Sequence, residues 1–384
     1  MSVLKRLFGI SEYLFFGEEL LSADYREDLC AFLRSRLERF DVVVMPDFFL
    51  DRFIDLGQNV ASFSRNLESI VRKKGGSIDG IAQTESRGGN AVNTASALAA
   101  LGARVTPIVC TTKLGLQLLR FHLGHLDVDF SHVKVFDKAS ITTALEFENE
   151  GQRANVMLRD VGSLSDFGPH HLGCDDFEII RSADYVCVFN WAGTRNFGTE
   201  LARTVFHQAK NGGKGKTYCD TADPLPNEGK IQQLVKGVLQ NPDLDVLSVN
   251  ENEAVCYASR LSRKTAKIPR ENLSFEEMAG ESARILASHL LARVDLHTTS
   301  FSATFKKEGE TTVPAFEVPV FRATGAGDAW NAGNILGDAC GLSNDCRLTL
   351  ANAVAAYYVS SPDGTHPTRK QLLRFCEKLK PKKH

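Results

Sequence analysis

The sequence predicts an α/β protein with a doubly wound, mostly parallel sheet flanked by helices, and with a small β-sheet lid. Two observations predict this fold class. Short β-branched runs alternate with helical segments, and a parallel sheet needs helices on both of its faces. In addition, two segments, at about 51–60 and 137–160, break the alternation and have the pattern of paired strands. A small sheet that projects from a parallel body would form a lid.

The main domain is expected to cover residues 41–384, after a helical extension over residues 1–40. Apolar residues at helical spacing predict the extension, namely Leu4, Leu7, Phe8, Leu29, Phe32, Leu33 and Leu37. Apolar, β-branched runs predict the strands of the large sheet at 42–44, 105–109, 185–189, 216–219 and 245–249. A further strand is expected to end near Phe321, just before a glycine-rich segment.

The predicted lid combines a hairpin with a separate strand. Residues 141–148 and 153–158 are the two arms of the hairpin, and residues 149–152 are its turn. Residues 51–58 supply another strand of the same small sheet. The segment from there to Ser86 has no clear pattern.

Composition excludes several classes of protein. Of the 384 residues, 43% are hydrophobic and 24% are charged, and the formal charge of -2 gives no reason to expect a nucleic acid partner. The nine cysteines form no C-x-x-C pair and no Cys/His group at zinc spacing, so we expect reduced thiols in a cytoplasmic protein. No apolar run approaches the ~20 residues that span a bilayer, so we expect no membrane association.

The most informative segment is Thr324-Gly325-Ala326-Gly327-Asp328, which opens a helix of small residues. Small residues let backbone N–H groups converge on one point, and the helix N-terminus adds partial positive charge, so Thr324 and the residues that follow it suit a phosphate in transfer. Asp328 could then take the proton of a hydroxyl as that hydroxyl attacks phosphorus. The alternative is an ordinary helix start with an aspartate in its first turn.

Two other segments have polar groups where a parallel sheet binds ligands. Asn250 and Glu253 directly follow an apolar strand, where they could hold Mg²⁺ with its waters and the phosphates of a donor, or simply form a capping box. Gly88 and Gly89 precede an Ala-rich helix and allow a ligand to approach the backbone closely. The amides of Asn90 and Asn93 could bind sugar hydroxyls, although a tight turn before a closely packed helix also explains this segment.

The order and spacing of these segments resemble the ribokinase-like (PfkB) family of carbohydrate and nucleoside kinases. Gly88-Gly89-Asn90 is similar to the first signature of that family, and residues 324–333 are similar to the second. Asn250-x-x-Glu253 corresponds to the metal-linked Asn-x-x-Glu of the family. The resemblance spans about residues 42–371, and the second signature is its most specific part.

This resemblance implies a ribokinase-like fold and transfer of the γ-phosphoryl group of ATP to a hydroxyl of a sugar, sugar derivative or nucleoside. Asp328 would be the general base, and the amides of Gly325, Ala326 and Gly327 would be the anion hole. Asp51 would bind acceptor hydroxyls, and Asn352 would lie on a helix beside the adenine. The resemblance also implies Mg²⁺ as a cofactor, allows a monovalent cation, and is compatible with a homodimer formed through the lid.

The donor and the activity leave alternatives open. The usual Thr-x-Gly before the nucleotide is replaced by residues 296–301, Leu-His-Thr-Thr-Ser-Phe, which resemble instead the ADP-dependent sugar kinases. ATP is favoured because the chain is short for an ADP-dependent enzyme. A catalytically silent regulator that binds a metabolite is the other alternative. A dehydrogenase is disfavoured because no G-x-G-x-x-G follows the first strand.

Several other side chains have two interpretations. Trp191 follows a strand on the crevice side and either touches the acceptor or belongs to the core. Histidines without acidic or Cys partners nearby are expected at the surface or in packing contacts: His122, His125, His170 and His171. Arginines in or near the lid could bind a phosphorylated sugar or could simply be solvated: Arg65, Arg72, Arg153 and Arg159.

Overall fold

The computed structural model describes residues 26–149, 152–261 and 273–379, and its main feature is an eight-stranded sheet. In spatial order the strands are β14 (Gly309–Pro314), β13 (Phe301–Lys306), β12 (Arg293–His297), β11 (Val246–Val249), β10 (Lys216–Asp220), β9 (Tyr185–Phe189), β1 (Asp41–Met45) and β4 (Arg104–Pro107). Six neighbouring strands run parallel, in the spatial order β12, β11, β10, β9, β1 and β4. Strands β13 and β14 pair antiparallel at the other edge. The carboxyl ends of the parallel strands therefore meet at one edge of the sheet, where such sheets bind ligands.

Burial on both faces explains the apolar runs in the parallel strands. In β1, Val42 and Val44 belong to one buried cluster, while Val43 and Met45 belong to the other. Helices cover both clusters, so each residue of such a strand meets apolar neighbours. The doubly wound, mostly parallel sheet is therefore confirmed.

The lid is a four-stranded sheet in the order β3 (Ala82–Gly88), β2 (Phe49–Asp55), β7 (Ser140–Asn149) and β8 (Gln152–Asp160). Strands β7 and β8 form the predicted hairpin, and β2 pairs antiparallel with β3 but parallel with β7. Part of the predicted turn lies outside the described residues. Two short strands, β5 (Cys110–Thr111) and β6 (Lys134–Val135), pair separately.

The helices, in chain order, are α1 (Arg26–Arg34), α2 (Val60–Arg72), α3 (Asn90–Leu101), α4 (Lys113–Leu123), α5 (Cys174–Ser182), α6 (Gly198–Asn211), α7 (Ile231–Leu234), α8 (Glu251–Leu261), α9 (Phe275–His289), α10 (Ala326–Ala339), α11 (Asn344–Val359) and α12 (Arg369–Cys376). Within the described ranges, none of them is long and apolar enough to cross a membrane. Helix α1 packs on α12, where the guanidinium of Arg369 lies over the Phe32 ring, 4.7 Å from its centroid. Residues 1–25 of the predicted N-terminal extension lie outside the described residues, and the domain boundary at residue 40 stays a prediction.

Two predicted strand boundaries are wrong. No strand ends near Phe321, because β14 already ends at Pro314 and residues 317–323 form a loop in which Phe321 is exposed. The lid strand predicted at 51–60 ends at Asp55, since Gly57 has a positive φ of 55° and Asn59 caps α2 by accepting a hydrogen bond from the Ser62 N–H. Strand β3 and helix α2 were not predicted. In the case of β3 the reason is that the segment is polar along most of its length and becomes a strand by pairing with β2.

Candidate active site

A cavity of about 320 Å³ lies between the lid and the carboxyl edge of the large sheet. Its walls come from β2, β7 and β8 of the lid, from the start of α3, from the ends of the central parallel strands, and from the glycine-rich loop before α10. The predicted site residues that line it are Asp51, Gly89, Asn90, Asn93, Asn250, Glu253, Thr324, Gly325, Gly327 and Asp328. Segments far apart in the sequence are thus brought together in one site.

Asp328 is held by side chains from a second helix. It lies in the first turn of α10, is only 5% exposed, and accepts one hydrogen bond at each carboxylate oxygen. Asn90 Nδ2 donates to Oδ1 over 2.8 Å, and Asn93 Nδ2 donates to Oδ2 over 3.0 Å. Both asparagines lie in the first turn of α3, so the N-termini of α3 and α10 converge on this carboxylate.

The environment of Asp328 makes its carboxylate more basic than an exposed one. Burial raises its pKa well above the usual value, and the charges of Asp220 and Asp47 act in the same direction. The hydrogen bonds from Asn93 and Asn90 lower the pKa, because both donors stabilise the ionised form. A buried carboxylate with raised proton affinity, kept in place by two amides, is suited to accept a proton.

The glycine-rich loop turns sharply into α10. Gly325 has a φ of 88°, and a Cβ there would lie 2.5 Å from the hydroxyl of Tyr358, so the position favours glycine on both grounds. The Tyr358 hydroxyl donates to the Thr324 carbonyl over 3.1 Å and braces the loop from behind. Gly325 and Gly327 line the cavity, whereas the N–H of Ala326 donates to the Ala323 carbonyl over 3.1 Å. The predicted anion hole thus has one of its three amides engaged elsewhere.

Asp51 faces the cavity from the lid. Its Oδ1 is buried and has no hydrogen-bond partner in the described part of the chain. Burial raises the pKa of Asp51 to about 6, against the effect of a hydrogen bond from Thr142. Gly88 does not line the cavity, but a Cβ on Gly88 would lie 2.0 Å from Asp51 Oδ2, so the glycine leaves room for the carboxylate.

Asn250 and Glu253 lie on the far side of the cavity and bond to each other. The backbone N–H and the Nδ2 of Asn250 donate to the two Glu253 oxygens over 3.0 and 2.9 Å. The N–H of Glu253 in turn donates a hydrogen bond to Asn250 Oδ1 over 3.0 Å, and this reciprocal pair is the capping-box arrangement. Burial and the charge of Asp220 raise the pKa of Glu253 well above its usual value.

The donor set near Glu253 fits Mg²⁺ held mainly through water. Asp220 and Asp223 line the cavity beside Glu253, and the charge of each raises the pKa of Glu253, so a cation would relieve repulsion there. Among the described residues, no three His, Cys, Asp or Glu side chains group as ligands of one ion. Mg²⁺ commonly keeps several waters and takes one or two carboxylates together with substrate phosphates, so this set is adequate.

A profile described as pfkB family carbohydrate kinase matches residues 56–371. The chain belongs to the PfkB family of carbohydrate kinases. A search of curated proteins gives no significant match. The family match makes the protein a kinase.

Solved structures share the fold of this PfkB kinase. The adenosine kinase from Sinorhizobium meliloti is 17% identical, with a TM-score of 0.65 over 89% of this chain and 99% of that one. The ribokinase from Arabidopsis thaliana, complexed with ribose and ATP, is 18% identical, with a TM-score of 0.65 over 88% and 99%. The ribokinase from Cryptococcus neoformans, in complex with ADP, is 15% identical, with a TM-score of 0.66 over 88% and 99%. At these identities the likeness shows the ribokinase-like fold alone.

Asn352 of this PfkB kinase, like Gly88 and Ala326, is a predicted site residue that does not line the cavity. Asn352 is buried in α11, where its Oδ1 accepts a hydrogen bond from Trp330 Nε1 over 2.9 Å and another from the Ser302 hydroxyl. Its Nδ2 donates to the Pro314 carbonyl over 2.9 Å. The side chain therefore braces α11 against β13 and β14, and contact of Asn352 with a nucleotide stays a prediction.

Three residues near the reacting groups were not predicted. Asp47 is fully buried, and its carboxylate accepts bonds from the N–H groups of Asn90 and Ala91, both over 2.9 Å. It fixes the start of α3. Asp220 ends β10 and accepts a 2.6 Å bond from Asn331. His297 ends β12 with its Nε2 buried and without a partner in the described ranges, and burial lowers its pKa. Each lies at or just after the carboxyl end of a parallel strand, and that position is the signal that could have identified them.

Four of the remaining candidates make packing contacts: Trp191, His122, His170 and His171. Trp191 is 2% exposed and belongs to the core, where its Nε1 donates to Thr199 over 3.0 Å, while the preceding Asn190 lines the cavity. His170 and His171 pack against neighbouring rings, with His171 stacked on Phe167 at 5.4 Å between centroids. The ring of His122 packs edge-on against that of Phe121.

Proposed function

We propose that this PfkB kinase transfers the γ-phosphoryl group of ATP to a hydroxyl of a sugar, sugar derivative or nucleoside, with Asp328 as general base. One observation carries the proposal. The Asp328 carboxylate is held at both oxygens by Asn90 and Asn93, at the N-terminus of α10, inside a cavity lined by both the lid and the sheet edge.

In this mechanism the acceptor hydroxyl donates a hydrogen bond to Asp328. As its oxygen attacks, a bond to the γ-phosphorus forms, the bond from that phosphorus to the β–γ bridging oxygen breaks, and the hydroxyl proton passes to the carboxylate. Asn90 and Asn93 fix the direction of the receiving oxygens, and the raised pKa of Asp328 favours the transfer.

Charge that develops on the phosphoryl group would be stabilised at the N-terminus of α10. The helix dipole and unsatisfied first-turn N–H groups favour negative charge at this point. Gly325 and Gly327 are the first candidates for the anion hole because they line the cavity. Ala326 joins them when its N–H leaves the Ala323 carbonyl.

The two sides of the cavity would bind the two substrates. On the lid side, the free Oδ1 of Asp51 would accept acceptor hydroxyls, beside Gly88 and Gly89. On the sheet side, Asn250 and Glu253 would hold Mg²⁺ through water, with Thr324 near the donor phosphates. When bound, Mg²⁺ neutralises charge on the phosphate oxygens. A monovalent cation, an Asn352 contact with the nucleotide, a homodimer through the lid and a cytoplasmic location remain predictions.

A second donor has a specific observation in its favour. His297, from the segment that resembles ADP-dependent sugar kinases, lines the cavity near Gly327, and its Nε2 has no hydrogen-bond partner in the part of the chain that the structure describes. ADP is therefore the alternative donor. A catalytically silent regulator has no such support, because Asp328 keeps both of its asparagine partners.

A screen tests the proposal. Sugars, sugar phosphates and nucleosides are incubated with Mg²⁺ and either ATP or ADP, and ³¹P NMR identifies any new phosphate ester. The proposal predicts an ester on one acceptor class with ATP in excess over ADP. Formation of an ester with ADP alone would replace the donor, and release of inorganic phosphate alone, with every acceptor, would contradict the proposed function.

A further inference from the structure

Arg159, on lid strand β8, lines the cavity and has no hydrogen-bond or ion-pair partner among the described residues. The other arginines in or near the lid with described side chains have partners of their own: Arg52 with Glu85, Arg65 with Ser62, Arg72 with Glu68 and Arg87 with His366. Of these arginines, Arg159 therefore offers its charge to a ligand.

The pairing of the lid strands places Arg159 in the same row as Asp51, two strands away across β7. Thr142 on β7 is in register with Asp51 on β2 and with Arg159 on β8, and all three line the cavity. Neighbouring strands lie ~4.8 Å apart, so the backbones of Asp51 and Arg159 are separated by about 10 Å. A carboxylate and a guanidinium thus face a space between them that suits one sugar ring.

The position of Arg159 is supported by Phe49, the first residue of lid strand β2, which belongs to a buried apolar cluster. Its Cζ lies 5.1 Å from the centroid of the Phe49 ring, and Phe49 is only 2% exposed, so the guanidinium rests on a fixed aromatic face. Arg195 approaches from the body, where it donates to the Pro226 carbonyl over 2.6 Å. Burial lowers the pKa of Arg195, and the positive charge of Arg159 lowers it further. The charges of the two guanidinium groups therefore repel each other, and of the two only Arg159 lines the cavity.

The two nearby carboxylates, Asp47 and Asp51, differ in whether they can bind a ligand. Asp47 is engaged by Asn190 and by two backbone N–H groups, so it is not available to a ligand. Asp51 keeps a free Oδ1, which suits hydroxyl donors. We propose that the acceptor is a sugar with an anionic substituent, a phosphate ester or a carboxylate, which Arg159 binds while Asp51 binds hydroxyls; this inference rests on the proposed kinase function.

Chemistry favours this acceptor class over a nucleoside. A guanidinium binds phosphate or carboxylate through two parallel N–H bonds. The next row of the lid, Phe53, Ala144 and Met157, also lines the cavity and is apolar, so these side chains give no strong donor or acceptor that would select a nucleobase edge. They would instead cover the nonpolar face of a sugar ring.

The test compares matched acceptors with matched variants. The wild-type enzyme is assayed with glucose, fructose and ribose, with phosphate esters and a carboxylate derivative of each, and with adenosine. Arg159→Ala should lower kcat/KM for the preferred anionic acceptor about 10- to 100-fold, mostly by raising KM. The kcat/KM for neutral acceptors should change less than threefold. Arg159→Lys should recover part of the loss, and Arg65→Ala, on α2 outside the cavity, is the control.

The outcomes separate this proposal from the proposed function. Preference for a phosphate ester, or for a carboxylate, supports the site and identifies which anion it takes. The proposal is overturned if adenosine or a neutral sugar is turned over better than every anionic acceptor. It is also overturned if Arg159→Ala affects anionic and neutral acceptors equally. Either result leaves the kinase function intact. If no acceptor is turned over, calorimetric titration of the same sugars decides. The site is upheld if anionic sugars bind and Arg159→Ala weakens that binding. The proposal is overturned if anionic sugars do not bind, or bind equally well to the variant.

Discussion

Gly88→Ala should disable the acceptor side of the cavity without touching any catalytic group. A Cβ at residue 88 would lie 2.0 Å from Asp51 Oδ2 and 2.2 Å from its Cγ, whereas ordinary contacts begin near 3.4 Å. The carboxylate of Asp51 must therefore move by about 1.4 Å or change rotamer. Since a misplacement of ~1 Å can cost about 10²-fold in rate, we expect acceptor kcat/KM to fall by that order.

The assay for Gly88→Ala measures acceptor kinetics, donor affinity and thermal stability together. Donor affinity should stay within about threefold, because Asn250 and Glu253 are on the other side of the cavity. Overpacking should cost about 1–3 kcal/mol of unfolding free energy. Gly280→Ala is the matched control, since nothing lies within 4 Å of a Cβ there and the residue is inside α9, where alanine stabilises by roughly 0.5–1 kcal/mol. Near-native acceptor kinetics in Gly88→Ala would refute the role given to Asp51.

Three further predictions concern the metal, the pH dependence and the lid. Glu253→Gln should raise the Mg²⁺ concentration for half-maximal rate several-fold, and an unchanged Mg²⁺ dependence with a lower Tm would assign Glu253 to capping alone. Burial raises the pKa of Asp51 to about 6, and its ionised form accepts hydroxyls, so acceptor kcat/KM should rise with pH between 5 and 7. In Asp51→Asn this part of the rise should be absent. If the full pH profile persists in the variant, another group is responsible for it. Acceptor binding should protect residues 141–158 from hydrogen exchange as the lid closes, whereas equal exchange in both states would make the hairpin a fixed element.

The local chemistry of the site could be predicted from the sequence because it is carried by short contiguous segments. Gly325 to Asp328, Asn90 to Asn93, and Asn250 to Glu253 each stand where a strand or loop enters a helix. A parallel sheet brings such junctions to one edge, so recognising the fold class also predicted that these residues would meet. Contacts between α3 and α10 then hold Asp328 between the two asparagines.

Other features depend on contacts that no local pattern encodes. Asp47 and Asp51 both follow the first strand, but the N–H groups of α3 occupy Asp47, whereas Asp51 Oδ1 has no hydrogen-bond partner among the described residues. Strand β3 is polar and has its strand conformation from pairing with β2. Asn352 has a suitable side chain, yet Trp330 and the Pro314 carbonyl hold it away from the cavity. In each case tertiary partners decide the role of the residue.

The role of Asp328 as general base is tested by the rate of phosphoryl transfer in Asp328→Asn under single-turnover conditions, with donor affinity measured on the same sample. Asparagine keeps the size of the side chain but cannot take the hydroxyl proton, so we expect the rate to fall by roughly 10²-fold or more, with donor Kd within about threefold. Asp345→Asn, in the first turn of α11, is the control for a charge change at a helix start. A near-native rate in Asp328→Asn would contradict the assignment of Asp328 as the base.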